Sequence, residues 1–158
     1  VHMRPTESQE GEMDKHHAMV EFFRPKIEEL STEMNFNFSD DAPDSVAFLT
    51  DYADRVKKRY VRAGAVKEYG FTIIVTKSYS PYGDDVNLQA MTFAQGLMDW
   101  VEEKNRAKQY PEFPDTCMIQ KIEPLQNMPN LSGVNMEQLV ARYMFQCRVT
   151  YYESEVRK

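Results

Sequence analysis

The segment from Ala141 to Tyr152, ARYMFQCRVTYY, constrains the fold more than any other. Every second residue is apolar or aromatic: Ala141, Tyr143, Phe145, Cys147, Val149 and Tyr151. The set between them includes Arg142, Gln146, Arg148 and Tyr152. Successive strand side chains point to opposite sides, so this alternation predicts a long strand with one face against a core. The other face, with its two arginines, is either a solvated sheet face or a surface for a partner.

One strand cannot bury such a face alone, and the segment 55–80, RVKKRYVRAGAVKEYGFTIIVTKSYS, supplies its companions. Tyr69, Phe71, Ile73 and Val75 alternate with Thr72, Ile74 and Thr76 in a second strand. Before them, Lys57, Lys58, Arg59 and Arg62 mark a cationic strand. Ala63-Gly64-Ala65 is the turn between the two, with Gly64 expected to supply a positive φ. Cationic side chains oppose stray strand pairing, which puts the first strand at or near a sheet edge.

The period then changes. Leu88, Met91, Ala94, Met98 and Val101 form a helical stripe widened by Phe93, Leu97 and Trp100. Asp84 or Asp85 stands at the N-cap, and Pro111 and Pro114 end the element. An earlier helical pattern, Met19, Phe22, Phe23, Ile27 and Leu30, runs from Asp14 to about Met34, and Pro25 predicts a kink or two shorter helices. His16-His17 reads as the surface start of that helix. Short strands are expected around Phe36 and Phe38 and over 46–50. A further strand covers 116–125, with Cys117, Ile119 and either Lys121 or a bulge before Ile122, and 126–140 reads as a long loop.

The order of helix, short strands, hairpin, helix, strand, loop and strand predicts one α+β domain over 14–158. Its sheet is mostly antiparallel, with helices on one face. Residues 1–13 read as a flexible tail, with Val1-His2 ahead of Met3 as a cloning remnant.

Hydrophobic residues make up 42% of the 158 and charged residues 28%, as in a folded soluble domain. The net charge of −6 argues against phosphate neutralisation as the main task, although Arg55, Lys57, Lys58, Arg59 and Arg62 flank Tyr60 as a nucleic-acid strip would. No apolar run approaches the roughly 18 residues of a membrane span, and no charged-then-apolar leader opens the chain. The three histidines all fall within the first 17 residues, which deprives the body of the chain of its commonest general base. Cys117 and Cys147 are expected as free thiols, near each other if their strands pair. The acidic pairs Asp40-Asp41 and Asp84-Asp85 are explained by a turn and a helix start, so neither a metal nor a cofactor is expected.

Five stretches, in order, resemble a bacteriophage tail terminator family, the minor capsid or tail completion proteins of Gram-positive phages and prophages. They are the KRYV strand, the aromatic-rich strand after it, the DWVEEKNR helix end, the QKIE strand and the closing ARYMFQCRVTYY strand, together covering about residues 55–153. The resemblance implies a structural protein without turnover that forms a ring, a hexamer, on the finished end of a tail tube. That ring ends tube polymerisation and offers a joining surface to head-completion or stopper proteins. DNA passes through its lumen without specific binding. The implied place is the virion tail, assembled in the host cytoplasm, with no membrane involved. Heterologous contacts of a ring suggest Lys57, Lys58, Arg59, Arg62, Asp84, Asp85, Arg142 and Arg148 as interface candidates, the cationic strand meeting the acidic turns. A head–tail adaptor or stopper is the alternative, and a small enzyme of unrecognised class comes third.

Overall fold

The computed structural model describes residues 7–30, 33–36, 43–61 and 63–154. The chain is an α+β domain: helix α1 (Glu7–Glu29), strands β1 (Glu33–Phe36), β2 (Ser45–Arg59) and β3 (Ala65–Ser78), helix α2 (Asp85–Arg106), and strands β4 (Cys117–Pro124), β5 (Asn130–Asn135) and β6 (Val140–Glu153). The sheet order is β1-β2-β3-β6-β4, with β5 also paired to β6. Among the described residues, only the β1–β2 pair is parallel.

β3 and β6 form the axis of the sheet. They pair without interruption from Ala65↔Glu153 to Ser78↔Val140. Their alternating apolar residues, Tyr69, Phe71, Ile73 and Val75 against Tyr143, Phe145, Cys147 and Val149, are all buried. Both helices cover this face. α1 contributes Met19, Phe23 and Ile27, four residues apart, and α2 contributes Ala90, Ala94, Leu97, Met98 and Val101. Phe23 joins the layers, with its ring 5.8 Å from Phe48, 5.7 Å from Phe71 and 5.3 Å from Trp100. No helix among the described residues is long and apolar enough to cross a membrane.

Several expectations need correction. Pro25 lies inside an unbroken α1, which begins at Glu7 and ends at Glu29. Proline removes one backbone donor, and the buried anchors Phe23 and Ile27 on either side of it hold that turn to the sheet. The expected strands at 46–50 and from 55 onward are not two strands. They belong to a single β2 that ends at Arg59 and passes through the polar segment by register shifts at Thr50/Tyr52, Tyr52/Arg55 and Val56/Lys58. Among the described residues no glycine has a positive φ, whereas Asp44, Asp54, Lys108 and Leu139 do. Gly64 is needed for space, because a Cβ there would lie 1.7 Å from the backbone oxygen of Glu153.

The supposed loop at 126–140 contains β5, joined to β6 by a tight turn. Residues 130–134 are all exposed, so burial imposes no period on them. Leu88 is 66% exposed, because the stripe buried by α2 starts at Ala90. Asp84 occupies the N-cap without a side-chain cap bond. Asn87 ties the helix start down instead, accepting from the Ser80 N–H at 3.1 Å and donating to the Ser80 carbonyl at 3.0 Å. β1 ends at Phe36, and Phe38, Asp40 and Asp41 lie outside the described residues. The bulge before Ile122 is present, with Gln120 as its extra residue.

Candidate assembly interface

The proposed interface residues separate into two groups at opposite ends of the sheet and one group across its outer face. β1 covers β2 only from Ser45 to Phe48, so the rest of β2 is a sheet edge. Lys57, Lys58 and Arg59 are exposed on that edge, beside the β2–β3 turn. Arg62 lies outside the described residues. Lys58 Nζ stands 5.1 Å from the centre of the Tyr60 ring. The exposed Asp84 and Asp85 follow the far end of β3, at the start of α2. The 14 residues of β3 separate the two groups, a span of roughly 45 Å at the rise of an extended strand. They therefore do not meet within one molecule.

Arg148, expected as a partner contact, is occupied within the chain. Its Nε lies 3.1 Å from Glu68 Oε2 and its Nη2 2.8 Å from Glu123 Oε1. Arg55 Nη2 reaches the other Glu68 oxygen at 3.1 Å, and Lys121 Nζ lies 3.2 Å from Glu123. The result is a ladder of alternating charge over β2, β3, β6 and β4, built from directly opposed and diagonal residues. Burial raises the Glu123 carboxyl, and hydrogen bonds from Arg148 and Lys121 outweigh it, holding the group below its ordinary value. The Arg55 guanidinium also lies 3.7 Å over the Tyr52 ring, which rests on Gly70. Arg142 is half-buried on the same face, opposite Thr76 and Gly133. The middle of this face is thus internally neutralised, which is why its arginines read in sequence as more available than they are.

Sequence reasoning missed a charged cluster on the helix side. Lys15 of α1 is 2% exposed, and its Nζ lies 2.5 Å from Asp54 Oδ1 and 3.2 Å from Glu153 Oε2. Asp54 has φ 55° within the β2 bulge, a conformation aspartate tolerates, and its Oδ1 also accepts from the Tyr151 hydroxyl. Lys67 Nζ contacts the second Glu153 oxygen at 2.5 Å, and Cys117 Sγ donates to Oε2 at 3.2 Å. Burial raises the Glu153 carboxyl, but the bonds from Lys67 and Cys117 and the charge of Lys15 prevail and hold it at about 2.

That value fixes a pH dependence. The folded group binds its proton less readily than an unfolded glutamate, so its contribution is complete above about pH 4.5 and lost as pH falls toward 2. With the Glu153 side chain still 22% exposed, solvent screening leaves this contribution on the order of 2 kcal/mol. Urea midpoints should therefore fall across pH 4.5 to 2 in the native chain, and Glu153→Gln should flatten this part of the profile.

The cluster is not a nucleophilic site. Burial, then the hydrogen bond to Glu153 and its charge, push the Cys117 thiol up to about 12, the reverse of what an attacking thiolate requires. Cys147 is a buried thiol, also raised by burial. Both cysteines are free, and they are not neighbours: Cys117 is opposite Glu153, while Cys147 is opposite Pro124 at the other end of β4. His16 is half-buried rather than a surface residue, with Nδ1 2.5 Å from the Tyr69 hydroxyl. Among the described residues, no three His, Cys, Asp or Glu side chains converge as metal ligands. A groove of about 680 Å³ separates α1 from the segment after α2, lined by Ala18, Phe22, Tyr110 and Pro111 with His17 and Lys104 at its rim. No protein-family model matches the chain, and comparison with curated proteins gives no match.

Proposed function

We propose that this protein is a structural phage or prophage virion component that caps the tail tube as a ring. It ends tube growth and offers a surface for head joining. The observation that carries this reading is the polarity of the molecule. One end of the sheet bears Lys57, Lys58 and Arg59, and the other bears Asp84 and Asp85. Ends of opposite charge that cannot meet within one chain suit a heterologous contact, and repeated heterologous contacts that close make a ring. The ordered motifs that resemble tail terminators support the same reading. They fall on the β2–β3 hairpin, the end of α2, β4 and β6, which together make up most of the sheet and its cover. An acidic chain also suits a ring through which DNA must pass without being held.

The test is electron microscopy of tubes polymerised from the tail tube protein of the same genome. With this protein present, tubes should stop growing and carry a ring at one end. Tubes that continue to lengthen with bare ends would overturn the reading.

A further inference from the structure

Each charged end also exposes apolar side chains that a soluble monomer would gain by covering. At the hairpin end, Val56 is 42% exposed, Tyr60 39% and Val61 91%. Val56 lies in β2 beside Lys57 and Lys58, and Tyr60 and Val61 lie in the turn that follows, braced by the Tyr60 N–H donating to the Gly64 carbonyl at 3.1 Å. At the opposite end, Tyr82, Val86 and Leu88 are exposed next to Asp84 and Asp85. The β5–β6 turn adds Met136, Leu139 and the exposed Glu137 at that end. It is held there by the Tyr79 N–H donating to the Leu139 carbonyl at 2.8 Å. One end is therefore cationic and apolar, the other anionic and apolar.

We infer that the β2–β3 hairpin tip of one copy docks on the β3–α2 loop and β5–β6 turn of the next, joining copies head to tail. The occupant of each end is a second copy of this chain, because the exposed charges beside the two apolar patches, Lys57 and Lys58 at one and Asp84 and Asp85 at the other, are of opposite sign. Two like ends would repel, so an isologous dimer through either end is disfavoured. This contact deepens the ring reading and rests on it for closure, since the same contact left open makes a filament. Each end presents only a few apolar side chains, so a single contact is weak. Closure then makes the last contact intramolecular and strengthens the whole.

The experiment is light scattering on purified chain across a wide concentration range, at about 10 mM and about 1 M salt, where the screening length falls from about 30 to about 3 Å. The native chain should associate at low salt and dissociate at high salt. K57E/K58E and D84K/D85K, all at exposed positions, should each stay folded by circular dichroism and associate more than tenfold more weakly. A mixture of the two should recover association, because each then supplies the end the other needs. A chain carrying all four reversals should recover it alone. A native chain that stays monomeric at low salt, reversals without effect, or a mixture that fails to recover would each overturn the contact. Tube capping separates this from the functional reading. Charge-dependent association without capping removes the tail reading and leaves the contact; capping that survives the reversals does the opposite.

Discussion

Lys15→Ala should lower stability by about 3 kcal/mol, the lower part of the range for removing one partner from a buried ion pair. Lys15 is almost wholly enclosed, whereas the side chains of Asp54 and Glu153 keep 24% and 22% exposure, so water compensates part of the loss. Glu153 also retains Lys67, and Asp54 retains the Tyr151 hydroxyl. The cost then falls on α1, which Lys15 ties to the bulged end of β2 and the last residue of β6. Trp100 reports this directly: its ring packs 5.1 Å from Phe22 and 5.3 Å from Phe23, both on α1. Urea melts followed by tryptophan fluorescence should move to a lower midpoint, with a red shift as α1 leaves. Adding Asp54→Asn, which removes one stranded charge, should recover part of the loss. A midpoint within about 0.5 kcal/mol of the native chain, the range of ordinary surface changes, would contradict the anchoring role.

The same cluster shows where sequence pattern stops being informative. β6 was legible because it buries alternate residues over about a dozen positions. β3, though buried on both faces, keeps Tyr69, Phe71, Ile73 and Val75 on the core face and Thr72 and Thr76 on the other, so the requirement of the core is written at period two. α2 was legible by its 3.6 period, except at Leu88, where the helix runs past the sheet it covers. β5 was not legible, because an exposed edge strand needs no apolar residues, and NLSGVN contains loop-like asparagine, serine and glycine. Lys15, Asp54 and Glu153 were not legible either. Asp54 and Glu153 lie 39 and 138 residues from Lys15 along the chain, and Asp54 stands at φ 55° within the β2 bulge. A register slip of this kind leaves no periodic trace. The interface candidates divided for a related reason. Lys57 and Lys58 kept their exposure because they lie on an edge, while Arg148 sits mid-sheet between two carboxylates supplied by strands far away in sequence.

Gly64→Ala should cost about 3 kcal/mol or more, at or beyond the upper end for overpacking, because the obstacle is backbone. The added methyl would meet the Glu153 carbonyl oxygen at 1.7 Å and the Ser154 Cα at 2.7 Å. Relief requires the start of β3 to move away from the end of β6. That motion strains the bond from the Gly64 N–H to the Tyr152 hydroxyl, 3.0 Å long, and the Ala65↔Glu153 pairing beside it. Gly70→Ala is the informative contrast. Its methyl would strike the Tyr52 ring at 2.4 Å, but that ring can swing aside, losing its contact with Arg55 rather than breaking a strand pair. Thermal melts should therefore show the Gly64 variant well below the Gly70 variant, and equal losses would remove the distinction. Glu153 also carries the carboxylate that receives Lys15, so moving its backbone disturbs the anchor of α1. Residues sharing a partner do not add independently. Gly64→Ala combined with Lys15→Ala should thus lose measurably less than the two separate losses together. The hairpin tip that Gly64 closes also carries Lys57, Lys58 and Val61, so a folded Gly64 variant should self-associate more weakly while keeping all three residues.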